Sequence, residues 1–299
     1  MVIATVRDQS VKPALFENVV PAFSADPATT PFKPTPQMNT TESKPTRTSS
    51  AGERVFARAL LRSTYRVRLA TSQADIHAAQ TLRFLVFNVE LNEGLEQSYD
   101  TLRDADPFDD VCEHMLVEDT RTGEIVGTYR LQTGRTAAAN LDFYSAQEFD
   151  LTPFEPIRDQ VTELGRACVH SQHRNLAVLG LLWQGVTRYA RERGGRYLIG
   201  CSSVSSLDAA VGASIFRALQ EQHLVESALQ TVPLPAWTCP LDEPSSEAAK
   251  IPKLLAAYLS LGAKICGPPA LDREFKTIDF LTVLDLETLS PTTKRLLDS

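Results

Sequence analysis

The chain is poor in the residues that staple or load small proteins. Its five cysteines stand at 112, 168, 201, 239 and 266, an odd number with no C-x-x-C spacing. That pattern excludes a disulfide framework and is read as reduced thiols in a cytoplasmic protein. No H-x-x-x-H, cysteine cluster or D-x-D-x-D-G loop is present, so no metal site is expected. A Walker loop and a dinucleotide fingerprint are also missing. No apolar run reaches the roughly 20 residues that span a bilayer, and no basic patch followed by an apolar block opens the chain. Any membrane contact is therefore expected to be peripheral, at the inner membrane. Basic residues are outnumbered 30 to 37, giving a net charge of -7, which argues against nucleic acid as a partner.

What is present suits a globular protein. The 299 residues are 43% hydrophobic and 22% charged, enough for one large domain or two small ones. Residues 1–50 stand apart. They hold seven of the eighteen prolines, with runs such as Asn39-Thr40-Thr41-Glu42-Ser43, and such composition offsets little ordering entropy. We read 1–50 as a disordered or loosely docked arm and 51–299 as the folded domain.

Within that domain, Arg66 to Ala70 alternates like a strand. Ser72 predicts an N-cap for a helix through Ile76, Ala79, Leu82, Phe84 and Val86. The acidic, polar stretch 92–110 reads as a loop. His114 to Asp119 and Ile125 to Leu131 read as a hairpin turning at Thr122-Gly123. A short helix is expected at 145–149 and a strand at 161–169. Leu176, Leu179, Leu182, Trp183, Val186 and Tyr189 recur at three- and four-residue steps, which predicts a helix over 176–193 ended by Gly194-Gly195. Its start is expected to offer free N–H groups to an anion. A strand at 197–201, a helix capped by Asp208, a Pro-rich loop over 230–246, a helix over 247–259 and strands at 263–266 and 277–284 complete the chain. This order predicts an α/β (α+β) fold: a mixed, mostly antiparallel twisted sheet with helices on both faces.

Five separated motifs carry a resemblance. They are Leu82-Arg83-Phe84-Leu85-Val86-Phe87, Asp104-Ala105-Asp106-Pro107-Phe108-Asp109, Val126-Gly127-Thr128-Tyr129-Arg130-Leu131, Glu163-Leu164-Gly165-Arg166-Ala167-Cys168-Val169, and Leu261 to Ala270. Together, over residues 65–285, they resemble the N-acyltransferases of the GNAT fold that take acyl chains from acyl carrier protein. Within that group the ornithine N-acyltransferases of ornithine-lipid synthesis match best, and the N-acyl amino acid and N-acyl-homoserine lactone synthases are similar. The resemblance implies that Arg83, Phe87, Asp106, Asp109, Arg130 and Arg166 shape the acceptor site and that Glu163 is catalytic. It implies an acyl chain on 4'-phosphopantetheine as donor, no bound cofactor, and an amino acid, ornithine foremost, as acceptor. Val169, His170, His173 and Arg174 are the expected contacts to the phosphopantetheine arm. Where coenzyme A-dependent members carry R/Q-x-x-G-x-G/A, this chain reads Arg174-Asn175-Leu176-Ala177-Val178-Leu179, without either glycine. That departure favours a carrier-protein donor, whose arm carries one phosphate.

The residues leave alternatives open. Acyl transfer to an amine needs a proton acceptor, and Glu163 can serve; it could equally be a plain ion pair with Arg166, three residues on. Arg83, Arg130 and Arg166 would be costly to bury unpaired. Their network with Asp106, Asp109 and Glu163 either grips a substrate carboxylate or staples the 92–110 loop. Backbone N–H groups of 167–170 are candidates for the oxyanion. Cys168 and Cys201 read as buried apolar residues. Arg188, Arg191, Arg193 and Arg196 complement a helix C-terminus or dock an acidic carrier. Phe84, Leu85, Phe87, Leu91 and Leu95 are acyl-tunnel lining or ordinary core. Other acceptors, as in a signal synthase, or a non-catalytic acyl or carrier-protein sensor remain the rival functions.

Overall fold

The computed structural model describes residues 64–243 and 250–297; the arm expected at 1–50, and the start of the helix expected at 247–259, lie outside them. Eight strands form one sheet: β1 (Tyr65–Leu69), β2 (Glu113–Asp119), β3 (Ile125–Thr133), β4 (Val161–Val169), β5 (Tyr197–Val204), β6 (Lys264–Ile265), β7 (Ala270–Asp272) and β8 (Thr277–Asp285). Their order is β1-β2-β3-β4-β5-β8-β6, with β7 also on β8. Every pairing is antiparallel except β4 with β5. The expected mixed, mostly antiparallel sheet is what forms.

Alternation along the strands sorts residues to the two faces. On one face lies the helix Leu176–Glu192. Its Val178, Leu182, Val186 and Tyr189 pack with Met115, Val117 and Tyr129. Gly127 lets it approach, since a Cβ there would press on Val178 and Leu182. On the other face the helix Gln73–Phe84, capped by Ser72, sets Leu82 beside Cys168, with Val86 and Phe87 following from a π-helical turn, Leu85–Glu90. The same alternation turns Arg130, next to Tyr129, toward Arg83 of this helix.

Two features position the site. β4 has nine residues and β5 eight, yet they pair only from Val161–Tyr197 to Glu163–Ile199. Beyond that point the strands part, and Gly200 sits in the fork, where a Cβ would collide with the Leu164 carbonyl. On the other edge of β4 the register to β3 slips. Arg130 faces Gly165 and Thr128 faces Cys168, so Arg166 and Ala167 together oppose Tyr129. This bulge puts Arg166 at φ +49°, a left-handed conformation that a non-glycine residue adopts at a cost.

The second half builds around Asp208, which caps the helix Ala209–His223 by accepting from the Ala210 N–H. The 92–110 stretch is more ordered than expected, with a short helix at Ser98–Thr101 and a 3-10 turn at Pro107–Asp110. The helix expected over 247–259 runs Lys253–Ser260 among the described residues, behind Pro252. The 145–149 helix is a 3-10 turn, Tyr144–Gln147.

Candidate active site

The fork opens into a cleft enclosing about 740 Å³ of empty space, part of it open to solvent. Leu164, Gly165 and Arg166 form one wall and Cys201 and Ser203 the other, with Glu163 at the crotch. Phe87, Arg130, Gln132 and Tyr144 also line it, as do the carboxylates Glu93, Glu148, Asp272 and Asp279.

Behind the cleft lies a network of buried charges. Arg83 is wholly buried. It donates through Nη1 and Nη2 to Asp109 at 3.0 and 2.5 Å, donates to the Asp104 carbonyl, and holds Nε 2.8 Å from Asp104 Oδ1. Arg130 Nη1 reaches Asp106 at 2.5 Å and Asp109 at 3.0 Å. Gln80 supplies a further donor to Asp109. Burial opposes ionisation of Asp109, but the Arg83 guanidinium outweighs it and holds the carboxyl well below its usual range. Asp106 is lowered in the same way by Arg130 and Arg166. Arg166 is the looser member. Its contacts to Asp104 and Asp106 are both 3.6 Å, and its Nε has no hydrogen-bond partner. The rings of Phe87, Tyr144 and Phe275 surround its guanidinium, Phe275 at 4.4 Å. Three arginines face three aspartates, so the network is neutral, with its least committed cation at the cleft wall.

Glu163 does not pair with Arg166. Its carboxylate accepts from Gln132 Nε2 at 2.6 Å, from the Tyr144 and Ser145 N–H groups at 2.7 and 2.8 Å, and from Ser145 Oγ at 2.5 Å. It thereby fixes the 3-10 turn that carries Tyr144. Gln132 Oε1, in contrast, has no partner.

The expected residues separate into three groups. Phe87, Arg130, Glu163 and Arg166 reach the cleft. Arg83, Asp106 and Asp109 stand behind it, where they hold the 104–109 segment and Arg130. Val169, His170, His173 and Arg174 surround the start of the helix Leu176–Glu192 and are not among the cleft's lining. Arg174 grips Glu90 with both Nη atoms at 2.6 Å and the Val169 carbonyl with Nε; His173 Nδ1 bonds Tyr65 Oη at 2.9 Å. The helix start is not open as expected, because the Asn175 side chain accepts from the Ala177 and Val178 N–H groups. The His170 N–H, one of the expected oxyanion donors, is spent on Val126 O. Burial pushes Cys112 up to about 12, and raises Cys168 and Cys201 as well, so none is a ready thiolate nucleophile.

Sequence reasoning missed Asp104, Gln132, Tyr144 and the carboxylates Glu93, Glu148, Asp272 and Asp279. Asp104 lay within a quoted motif and could have been taken as a third partner for three arginines. The others come from distant segments with no shared spacing.

A family model described as an acetyltransferase (GNAT) domain matches residues 82–184. Two curated relatives are L-ornithine N(alpha)-acyltransferases. That of Brucella abortus (strain 2308) is 36% identical over 244 residues, 75% of this chain and 85% of its own length. That of Agrobacterium fabrum (strain C58 / ATCC 33970) is 33% identical over 258 residues, 81% of this chain and 87% of its own. Among solved structures, the AHL synthase LasI is similar with a TM-score of 0.47 at 13% identity, covering 79% of this chain and 95% of that one. FeeM, an N-acyl amino acid synthase from uncultured soil microbes, gives 0.44 at 13% identity over 75% of this chain and 92% of that one. With a third of its residues shared across most of the length of such relatives, and a GNAT domain spanning both the arginine network and Glu163, this N-acyltransferase belongs to the L-ornithine N(alpha)-acyltransferase family.

Proposed function

We propose that the chain transfers an acyl group from an acyl carrier protein thioester to the α-amine of ornithine. The observation that carries this reading is the cleft at the β4–β5 fork, which sets a loosely paired guanidinium and a buried carboxylate side by side in a chain whose relatives are named for ornithine acylation.

The acceptor's α-carboxylate pairs with Arg166, whose contacts to Asp104 and Asp106 are long and whose planar fork suits a carboxylate. The α-amine on the same carbon then lies near Glu163. Its nitrogen attacks the thioester carbonyl, the C–S bond breaks, and the sulfur leaves as holo-carrier thiol. The amine proton passes to Glu163, directly or through water, and from there to the departing thiolate, which leaves as the thiol. Gln132 answers that change. Its Nε2 donates to the carboxylate, and a turn of the amide presents the unpartnered Oε1 to the protonated acid. Past Glu163 the β5-facing edge of β4 has no ladder partner, so N–H groups there are available to the tetrahedral oxyanion. With the cysteines protonated, transfer is direct, without an acyl-enzyme.

Two features favour a carrier protein over coenzyme A. The 174–179 segment lacks the glycines that admit a pyrophosphate to the backbone, and Asn175 and Glu90 already occupy the N–H groups and the guanidinium there. Mass spectrometry of products from ornithine with a 3-hydroxyacyl carrier protein, or with the matching acyl-coenzyme A, tests the reading. Nα-acylornithine from the carrier thioester, at a much higher kcat/KM than from coenzyme A, is expected. Equal use of both donors overturns the donor assignment, and absence of acylornithine from either overturns the acceptor.

A further inference from the structure

Part of the cleft is lined by carboxyl groups that no arginine or lysine among the described residues balances. Glu148, Asp272 and Asp279 each offer an oxygen within 4.8 Å of the others, and Glu93 lines the same cleft. Glu148 follows the 3-10 turn that Glu163 holds; Asp272 ends β7 and Asp279 lies on β8. No ion pair joins these four carboxylates to a lysine or arginine among the described residues, in contrast to the arginine–aspartate network, which balances three for three.

Some of the oxygens serve the fold. Asp272 Oδ1 accepts from the Glu274 and Phe275 N–H groups, and Asp279 Oδ2 from Thr277 Oγ1 at 3.0 Å. Others serve nothing within the chain. Asp279 is 3% exposed and Glu93 6%, yet Asp279 Oδ1 and Glu93 Oε2 have no hydrogen-bond partner. A buried carboxylate oxygen without a donor is costly. Two of them in one cleft, beside two more carboxylates, mark a place for a cation that brings its own N–H donors.

We propose that this part of the cleft is a receptor for the terminal side-chain ammonium of the acceptor, formed by Asp279, Glu93, Glu148 and Asp272, and that it selects amino acids carrying such a group over those with neutral side chains. The inference rests on the acceptor reading above. An ammonium presents three donors, and a cleft lined both by a loosely held guanidinium and by these carboxylates matches an α-carboxylate and a distal ammonium on one molecule. A site built around a substrate's N–H group rejects the analogue that lacks it, because the buried acceptors are then left unpaired. Burial raises Glu148, Glu93 and Asp272 above the usual carboxylate range, and an ammonium bound beside them would draw them down again.

The test compares ornithine with norvaline, the same carbon chain without the terminal amine, on the full chain and on Asp279→Asn and Glu93→Gln, with thermal melts alongside. The wild type is expected to prefer ornithine by about a hundredfold or more in kcat/KM. Asp279→Asn is expected to lose most of that preference, with kcat/KM falling far more for ornithine than for norvaline. It is also expected to melt at or above the wild-type temperature at pH 8 and to lose the stabilisation that ornithine gives. Glu93→Gln acts in the same direction and serves if the first variant fails to fold. An equal fall for both substrates, or a destabilised empty protein, overturns the receptor and makes the cluster structural. Activity that is lost with a chelator and restored by a divalent ion also overturns it, in favour of a metal. If ornithine raises the wild-type melting temperature, and Asp279→Asn abolishes that rise, while no acylornithine forms, the receptor stands and the proposed reaction fails. If acylornithine forms but both substrates respond alike to Asp279→Asn, the reaction stands and the receptor fails.

Discussion

Arg166 combines two properties at one position. It sits at φ +49° in a β-bulge, and its guanidinium is the least tightly paired of the three in the network. Left-handed backbone at a non-glycine costs about 1–2 kcal/mol, and such strain gathers where a side chain must be aimed. Arg166→Gly should therefore fold with a melting temperature equal to or above that of the wild type while KM for the acceptor rises at least tenfold. Calorimetry with initial-rate kinetics checks this, and a variant that melts well below the wild type would show that Arg166 is chiefly structural. At this scale the sequence was informative where local pattern carried the signal. That Glu163 and Arg166, three apart on one strand, would come to one cleft was readable, and both line it, but their partners were not. Glu163 takes its donors from Gln132, Tyr144 and Ser145, and a turn that closes onto a carboxylate from outside its own strand has no local signature.

The fork between β4 and β5 is the element on which the site depends. Three register pairs hold it closed at the base, and Gly200 allows Leu164 O to pass at the point of parting. Gly200→Ala should force the strands apart near Glu163. A loss of about 1–3 kcal/mol, as for other overpacked sites, should appear in denaturant melts together with a fall in kcat; unchanged stability and rate would contradict the geometry. Long elements were legible because each offers several periods. The helix Leu176–Glu192 lies within one residue of its expected span, and β4 matches 161–169. The short ones were not. β7, three residues long, shows less than two strand periods, yet it carries Asp272 into the cleft. The π-helical turn Leu85–Glu90 carries the same apolar spacing as the helix before it, so its wider winding was invisible.

Across the whole molecule, charge is divided between a balanced side and an unbalanced one. Arg83, Arg130 and Arg166 answer Asp104, Asp106 and Asp109, whereas Glu93, Glu148, Asp272 and Asp279 have no arginine or lysine among the described residues. The two groups act oppositely on stability. Asp106 and Asp109 are lowered in the fold, so their contribution is present above their unfolded values and is lost as pH falls through the folded ones. Glu148 and Asp272 are raised, so their contribution is present at low pH and is lost as pH rises from the usual carboxylate range through the folded values. The empty protein should accordingly melt lower at pH 8 than at pH 5 to 6, and Glu148→Gln should remove part of that loss; a melting temperature flat over this range in both proteins would contradict the charge division. In the basic cluster at the helix end, Arg193 pairs with Glu113 at 2.9 Å and Arg196 with Asp285 at 2.6 Å, a structural use that side-chain identity alone could not reveal. No helix among the described residues is long and apolar enough to cross a membrane.

The proposed transfer of the amine proton to Glu163 inside the fork is tested by single-turnover formation of Nα-acylornithine from an acyl carrier protein thioester by wild type and Glu163→Gln. A general base contributes about 10²–10⁴-fold. Formation should slow by that factor in Glu163→Gln with the carrier thioester still bound, alongside some loss of melting temperature because the Gln amide nitrogen meets the donors of Gln132, Tyr144 or Ser145. Turnover at the wild-type rate would remove Glu163 from the reaction.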